Sequence, residues 1–213
     1  MGKILVTSGG YNTVNNYVSD ENIELFNKIS NGKKVLIIAN AAPETSGNYI
    51  ARENVKENFL KSGAILVNVI DLNKDNISVM TNYDIIYVLG GNPVYLIELI
   101  KIQSFKETLI KFLEKGIYIG ESAGSMILSD DLKYAYEVQG NTKPKYNVKL
   151  DSYAGLGLID IYVYPHFQKT SELEQNNVSE YEKNNNIKIT RLYDGNIICY
   201  SYENNKITRI CIK

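Results

Sequence analysis

Short apolar runs alternate with segments of helical periodicity from Lys3 to Leu128. Residues 3–8, 34–39, 64–70, 83–89 and 116–119 read as strands, and the continuously apolar 34–39 as a parallel strand covered on both faces. Between them, Ser19 or Asp20 opens a helix through Ser30, with Ile23, Phe26 and Ile29 at helical spacing. Tyr49–Lys61 is amphipathic, and 77–80 suits a short helical or 3₁₀ piece. A helix over 93–102 starts at Pro93, where a missing N–H costs nothing, and another over 104–114 stops at Lys115-Gly116. The alternation predicts an α/β fold, a doubly wound and mostly parallel sheet. Ligand sites in such sheets lie at the C-terminal strand ends. Gly9-Gly10, the loop over 40–48 with Pro43, Gly90-Gly91 and Ser122 all fall on that edge.

Beyond Leu128 the texture changes. Residues 129–151, with Tyr134, Tyr136, Glu137 and Pro144, have no clean period and predict a loop or short hairpin near the site. A strand over 159–164 ends at Pro165-His166-Phe167, and 171–186 reads as a polar surface helix. Strands follow over 188–192 and 196–202 with Asp194-Gly195 between them. Asn204-Asn205 then turns the chain into Lys206–Ile212, a C-terminal β-hairpin. No repeat or linker interrupts the chain, so 1–213 reads as a single domain.

Composition narrows the function classes. The chain has 213 residues, enough for one well-buried core. With 23 basic and 24 acidic residues, nothing favours nucleic acid or an anionic membrane as a partner. No charged-then-apolar leader or membrane-length run occurs, which predicts a soluble cytoplasmic protein. One histidine and two separate cysteines make no zinc set, so no metal or other cofactor is expected. Cys199 and Cys211 could face each other across the hairpin, and read as buried free thiols. No pattern sets the oligomeric state.

The chemistry centres on Gly120-Glu121-Ser122-Ala123-Gly124, between apolar runs at 116–119 and 126–128. A G-x-S-x-G word at a strand–helix turn is the nucleophile-elbow pattern, with the serine at the apex. The glycines let the two backbones approach, and the helix start offers unpaired N–H groups to an oxyanion. A serine hydroxyl needs a base, and His166 is the only histidine. The base needs an acid to hold its tautomer. Asp194 and Glu203 are the downstream candidates, and Asp130, Asp131, Glu137 and Asp151 the upstream ones. Ala123, after the nucleophile, is one oxyanion donor by the elbow geometry, and Gly91 is a candidate for the second.

Three words in order, Val88-Leu89-Gly90-Gly91-Asn92, Tyr118-Ile119-Gly120-Glu121-Ser122-Ala123-Gly124 and Gly155-Leu156-Gly157 to Tyr164-Pro165-His166-Phe167, resemble the dipeptidase E family of serine peptidases. That family includes aspartyl dipeptidase and, more distantly, cyanophycinase. The resemblance runs from the first strand to the Asp194 turn. It implies a class I glutamine-amidotransferase-like (flavodoxin-like) fold and a Ser-His-acid triad acting on a small peptide. By position it matches Ser122 to the nucleophile, His166 to the base, and Gly91 and Ala123 to the oxyanion donors. The family's acid is often a glutamate before Gly-Asn, and here Asp194-Gly195-Asn196 stands there, with Glu203 in reserve. The aspartyl enzymes carry Gly-Glu-Thr-Arg after the histidine and tryptophan before the nucleophile. This chain has Phe167-Gln168-Lys169-Thr170-Ser171 and Glu121, with no arginine between His166 and Arg191. Glu121 could hold a substrate ammonium or simply cap or pair locally, Lys169 could hold an acidic group as a point charge, and Asn92 is a further candidate substrate contact. First-residue preference stays open. Two alternatives remain: an amidase or hydrolase of the same fold on a non-peptide substrate, and a non-catalytic binding protein.

Overall fold

The structure is a computed structural model that describes residues 1–14, 18–42, 49–101, 104–138 and 152–212. In chain order its strands are β1 (Gly2–Thr7), β2 (Lys34–Ile38), β3 (Leu66–Ile70), β4 (Ile85–Val88), β5 (Ile117–Glu121), β6 (Tyr162–Tyr164), β7 (Ile189–Arg191), β8 (Ile197–Glu203) and β9 (Lys206–Ile212). Its helices are α1 (Asp20–Ser30), α2 (Tyr49–Lys61), α3 (Pro93–Lys101), α4 (Phe105–Phe112), α5 (Ala123–Met126), α6 (Lys133–Glu137) and α7 (Glu172–Asn185). The main sheet runs β3-β2-β4-β5-β1-β8-β9. Pairing is parallel from β3 to β1, and β8 and β9 add antiparallel on the far side.

The strand residues divide by alternation. Ile4 and Val6 face one core layer, together with Leu96 of α3, Leu109 of α4 and Tyr134 of α6. Leu5, between them, faces the other layer, with Phe26 of α1 and Val55 and Phe59 of α2. Every residue of β4 is buried, as a central strand covered on both faces must be. This is the doubly wound α/β arrangement that the apolar runs predict.

Local chemistry accounts for several boundaries. Ser19, not Asp20, caps α1, its side chain accepting from the Asn22 N–H. Ser171 and Glu174 form a reciprocal capping box on α7. Asn204 and Asn205 both lie at positive φ (51° and 60°), the requirement of a tight hairpin turn that follows sheet twist. Cys199 stands opposite Cys211 across that hairpin without a disulfide, the former buried as expected and the latter only half-buried.

The second half departs from expectation in two places. The stretch after Ser129 holds the short helix α6 and a bridge between Asp131 and Ala154, rather than a hairpin within its described part. The strand expected over 159–164 shortens to β6 and pairs with β7 in a separate two-stranded sheet. The edge of β1 is taken by β8, and β6 lies outside the main sheet. The loop containing Pro43, and the part of 129–151 with Pro144 and Asp151, lie outside the described residues. Among the described residues no helix is long and apolar enough to cross a membrane.

Candidate active site

Ser122 joins β5 to α5 at φ 48° and ψ −105°, a sparsely populated conformation for a residue with a Cβ. The surroundings over-determine it. Its N–H donates to Thr7 O at 3.0 Å. A Cβ on Gly120 would lie 2.5 Å from Gly124 O and one on Gly124 would clash with Val88 O, so β5 meets α5, and α5 meets β4, only because these positions are glycine. Tyr118 donates its hydroxyl to Gly124 O at 2.6 Å. Ser125, wholly buried, accepts from the Thr7 N–H at 2.9 Å, and its hydroxyl lies within reach of Thr7 O and Gly120 O. The Ser122 side chain caps no N–H of α5. That helix is a single turn, so individual N–H groups, rather than a long helix dipole, face the apex.

The end of β4 abuts this turn. A Cβ at Gly90 would sit 3.1 Å from Ser122 Cβ, and one at Gly91, which has φ +146°, would sit 2.5 Å from Ala41 O. Asn92 donates its N–H to Ala41 O at 2.6 Å and accepts from the Tyr95 N–H through its side chain at 2.9 Å. Asn92 therefore caps α3. Among the described residues, neither the Gly91 N–H nor the Ala123 N–H has an acceptor.

Glu121 points inward and is 5% exposed. Tyr87 donates its hydroxyl to Oε2 at 2.5 Å, Asn12 Nδ2 approaches Oε1 at 3.5 Å, and the Gly90 N–H donates to the carboxyl. Tyr87 in turn accepts from the Tyr11 N–H at 2.8 Å. Burial pushes the carboxyl up to about 7, against these donors, and the Asp194 charge adds to the rise. The group is thus engaged by the loops around Ser122, the local pairing that the sequence left open beside an ammonium ligand.

His166 and Asp194 meet directly, with Nδ1 2.6 Å from Oδ1. His166 lies at φ 55° and donates its backbone N–H to Ser8 Oγ at 2.7 Å. Ser8 donates its hydroxyl to the same Asp194 Oδ1 at 2.6 Å. Gln168 accepts from the Asp194 N–H at 3.1 Å, and Lys169 Nζ lies 3.1 Å from Oδ2. Burial pushes the Asp194 carboxyl up, but Ser8, the His166 charge and Lys169 outweigh it and leave it lowered. Lys169 is therefore engaged with an acid of its own chain.

Glu203 is ruled out as a partner of His166. In the antiparallel register Ile197 lies beside Thr7 and Tyr202 beside Gly2, so Glu203 lies past the opposite end of β1. At ~3.3 Å per residue that is roughly 20 Å from the site. Among the described residues no hydrogen bond joins Ser122 to His166. They are coupled through β1, whose Thr7 O holds the serine and whose neighbour Ser8 holds the histidine. Ser8, Ser125 and Gln168 escape the sequence reading. Ser8 was visible as the last polar residue before Gly9-Gly10, but its partners are 158 and 186 positions away.

A profile of peptidase family S51 matches residues 4–209. The uncharacterized peptidase Lmo0363 of Listeria monocytogenes is 31% identical over 157 residues, covering 70% of this chain and 74% of that protein. The uncharacterized peptidase PM1590 of Pasteurella multocida is 29% identical over 126 residues, covering 54% and 56%. A crystal structure from Listeria monocytogenes, described as a candidate peptidase E, superposes with a TM-score of 0.74 at 24% identity. That match covers 99% of this chain and 98% of the other and shows the shared fold. On the family match and the named relatives together, the chain belongs to peptidase family S51, the peptidase E family, and is a peptidase of the serine class.

Proposed function

We propose that the protein hydrolyses short peptides in the manner of a dipeptidase, through an acyl-enzyme on Ser122. The observation that carries this reading is the 2.6 Å contact of His166 Nδ1 with Asp194 Oδ1, on the sheet edge that holds the strained Ser122 turn. With the Nδ1–H donating a hydrogen bond to Asp194, Nε2 keeps its lone pair and is the base. Ser122 Oγ attacks the scissile carbonyl carbon as its proton passes to Nε2. The Ser–His contact closes when substrate is bound, as such contacts often do. The carbonyl oxygen becomes an oxyanion held by the Gly91 and Ala123 N–H groups. The C–N bond then breaks, and His166 returns the proton to the departing amine. Water attacks the acyl ester by the same route, releasing the carboxylic acid and restoring Ser122.

The peptidase names of the relatives support a peptide substrate. Glu121 and Lys169 are both engaged with partners within the chain. The test is amine release from a dipeptide panel varied at its first residue, with wild type and Ser122→Ala in parallel. Turnover by wild type that vanishes in the variant is expected, and the best first residue defines the pocket. Two folded proteins that both leave every member intact would overturn the dipeptidase reading.

A further inference from the structure

Ser8 ends the first strand's run toward the site and is wholly buried, and the reaction above gives it no task. Its hydroxyl has one proton and two lone pairs. One lone pair takes the His166 backbone N–H at 2.7 Å. The proton goes to Asp194 Oδ1 at 2.6 Å, closer than His166 Nδ1 at 3.3 Å. His166 needs such a hold, because its φ of 55° lies in the left-handed region that side-chain-bearing residues avoid. Asp194 needs it too, since it sits on the turn between β7 and β8 rather than within a strand. The adjacent Thr7 O anchors the Ser122 N–H at 3.0 Å. The last two residues before Gly9-Gly10 thus hold the backbone or side chain of all three reacting-site residues.

We propose that Ser8 is a positioning residue: its hydroxyl ties the His166 backbone to the Asp194 carboxylate and so fixes where the imidazole points. The kinetic consequence rests on the serine-peptidase reading, whereas the effect on the imidazole does not. Lys169 bears on Asp194 from its other oxygen, and Glu121 acts on it through space. Neither touches the His166 backbone N–H, which is bonded to Ser8.

The chain has one histidine, so the Nδ1 proton of its imidazole gives a single NMR resonance, downfield when it is hydrogen-bonded to a carboxylate. Wild type should show that resonance. In Ser8→Ala it should move upfield or be lost to exchange, and kcat on the best dipeptide should fall about 10- to 100-fold with KM nearly unchanged. Ser8→Thr, which keeps the hydroxyl, should restore both readouts in large part. A folded Ser8→Ala that keeps resonance and kcat would overturn the proposal. So would a folded Ser8→Thr as impaired as the alanine variant, because side-chain volume would then be the cause. Should Ser8→Ala not fold, Ser8→Cys, a weaker donor, takes its place with the same readouts. Turnover that survives Ser122→Ala would sink the serine reading instead, and the imidazole resonance would still decide the role of Ser8.

Discussion

The corner around Ser122, proposed as the nucleophile, and the corner around His166 and Asp194, proposed as base and acid, are built by different means. Around Ser122 the contacts are mostly backbone and steric: glycines at 120 and 124, the Ser122 N–H on Thr7 O, and Gly91 against Ala41 O. Around His166 they are mostly contacts through side chains, hydrogen bonds among Ser8, His166, Asp194 and Gln168 and an ion pair from Lys169 to Asp194, drawn from three separate parts of the chain. Their buried carboxyls also shift in opposite directions, Glu121 upward and Asp194 downward. A backbone-built corner tolerates little change in shape. A corner built from side chains depends on proton positions, and so on each donor and acceptor in it.

The widest separation of the two corners should come from Asp194→Asn. The amide leaves the Ser122 turn alone but offers His166 the wrong partner, and kcat should drop by about 10⁴-fold in steady-state peptide hydrolysis. A loss under tenfold would take the orienting role away from Asp194. Gly91→Ala tests the other corner. The added methyl meets Ala41 O and the residue must hold φ +146°, so it displaces the N–H proposed as an oxyanion donor. The cost should be about 10²- to 10³-fold in kcat, with KM changed far less.

Stability against pH sharpens the contrast next. Glu121 is raised to about 7 from 4.5, so the folded state holds a proton that the unfolded state releases first. Its contribution therefore favours folding at low pH and is withdrawn as pH climbs from about 4.5 to about 7, by on the order of 3 kcal/mol. Asp194 has the opposite sign. Its lowered value contributes stability above the ordinary 3.8, which is lost as pH falls through the folded value. Urea unfolding from pH 3 to 8 should give Glu121→Gln a flatter decline than wild type between pH 5 and 7. Asp194→Asn should lose less stability than wild type on acidification below pH 4. Parallel curves for all three proteins would remove the distinction.

The smallest effect is expected at Lys169, whose side chain is 46% exposed. An ion pair that open to water is worth little, so Lys169→Met should lower kcat/KM only about two- to fivefold. A much larger loss confined to acidic dipeptides would return Lys169 to the role of substrate ligand.

Legibility followed the same division. The Ser122 turn could be read from five consecutive residues, because glycine spacing and flanking apolar runs encode a backbone shape locally. Gly91 was readable for the same reason. Glu121 and Lys169 were found as charged residues near the site, but not their partners. The carboxyl of Glu121 meets Tyr87 and Asn12, which lie 34 and 109 positions away. The choice between Asp194 and Glu203 could not be made from spacing, since both flank the same strand. The antiparallel register of β8 on β1 separates the two, carrying Glu203 to the far end of the sheet from His166.

By itself the amino-acid order determined the alternation of strands and helices, the tight turn at Ser122 and the hairpin at Asn204-Asn205. These depend on side-chain period and on which residues accept unusual φ, both properties of neighbours in the chain. Only the tertiary structure decided that β6 leaves the main sheet, that Glu121 faces inward, and that Ser8 reaches His166 and Asp194. Those outcomes depend on which strand edges are already occupied and on hydrogen-bond distances across more than a hundred residues. No local pattern carries that information, because it exists only once the sheet has assembled.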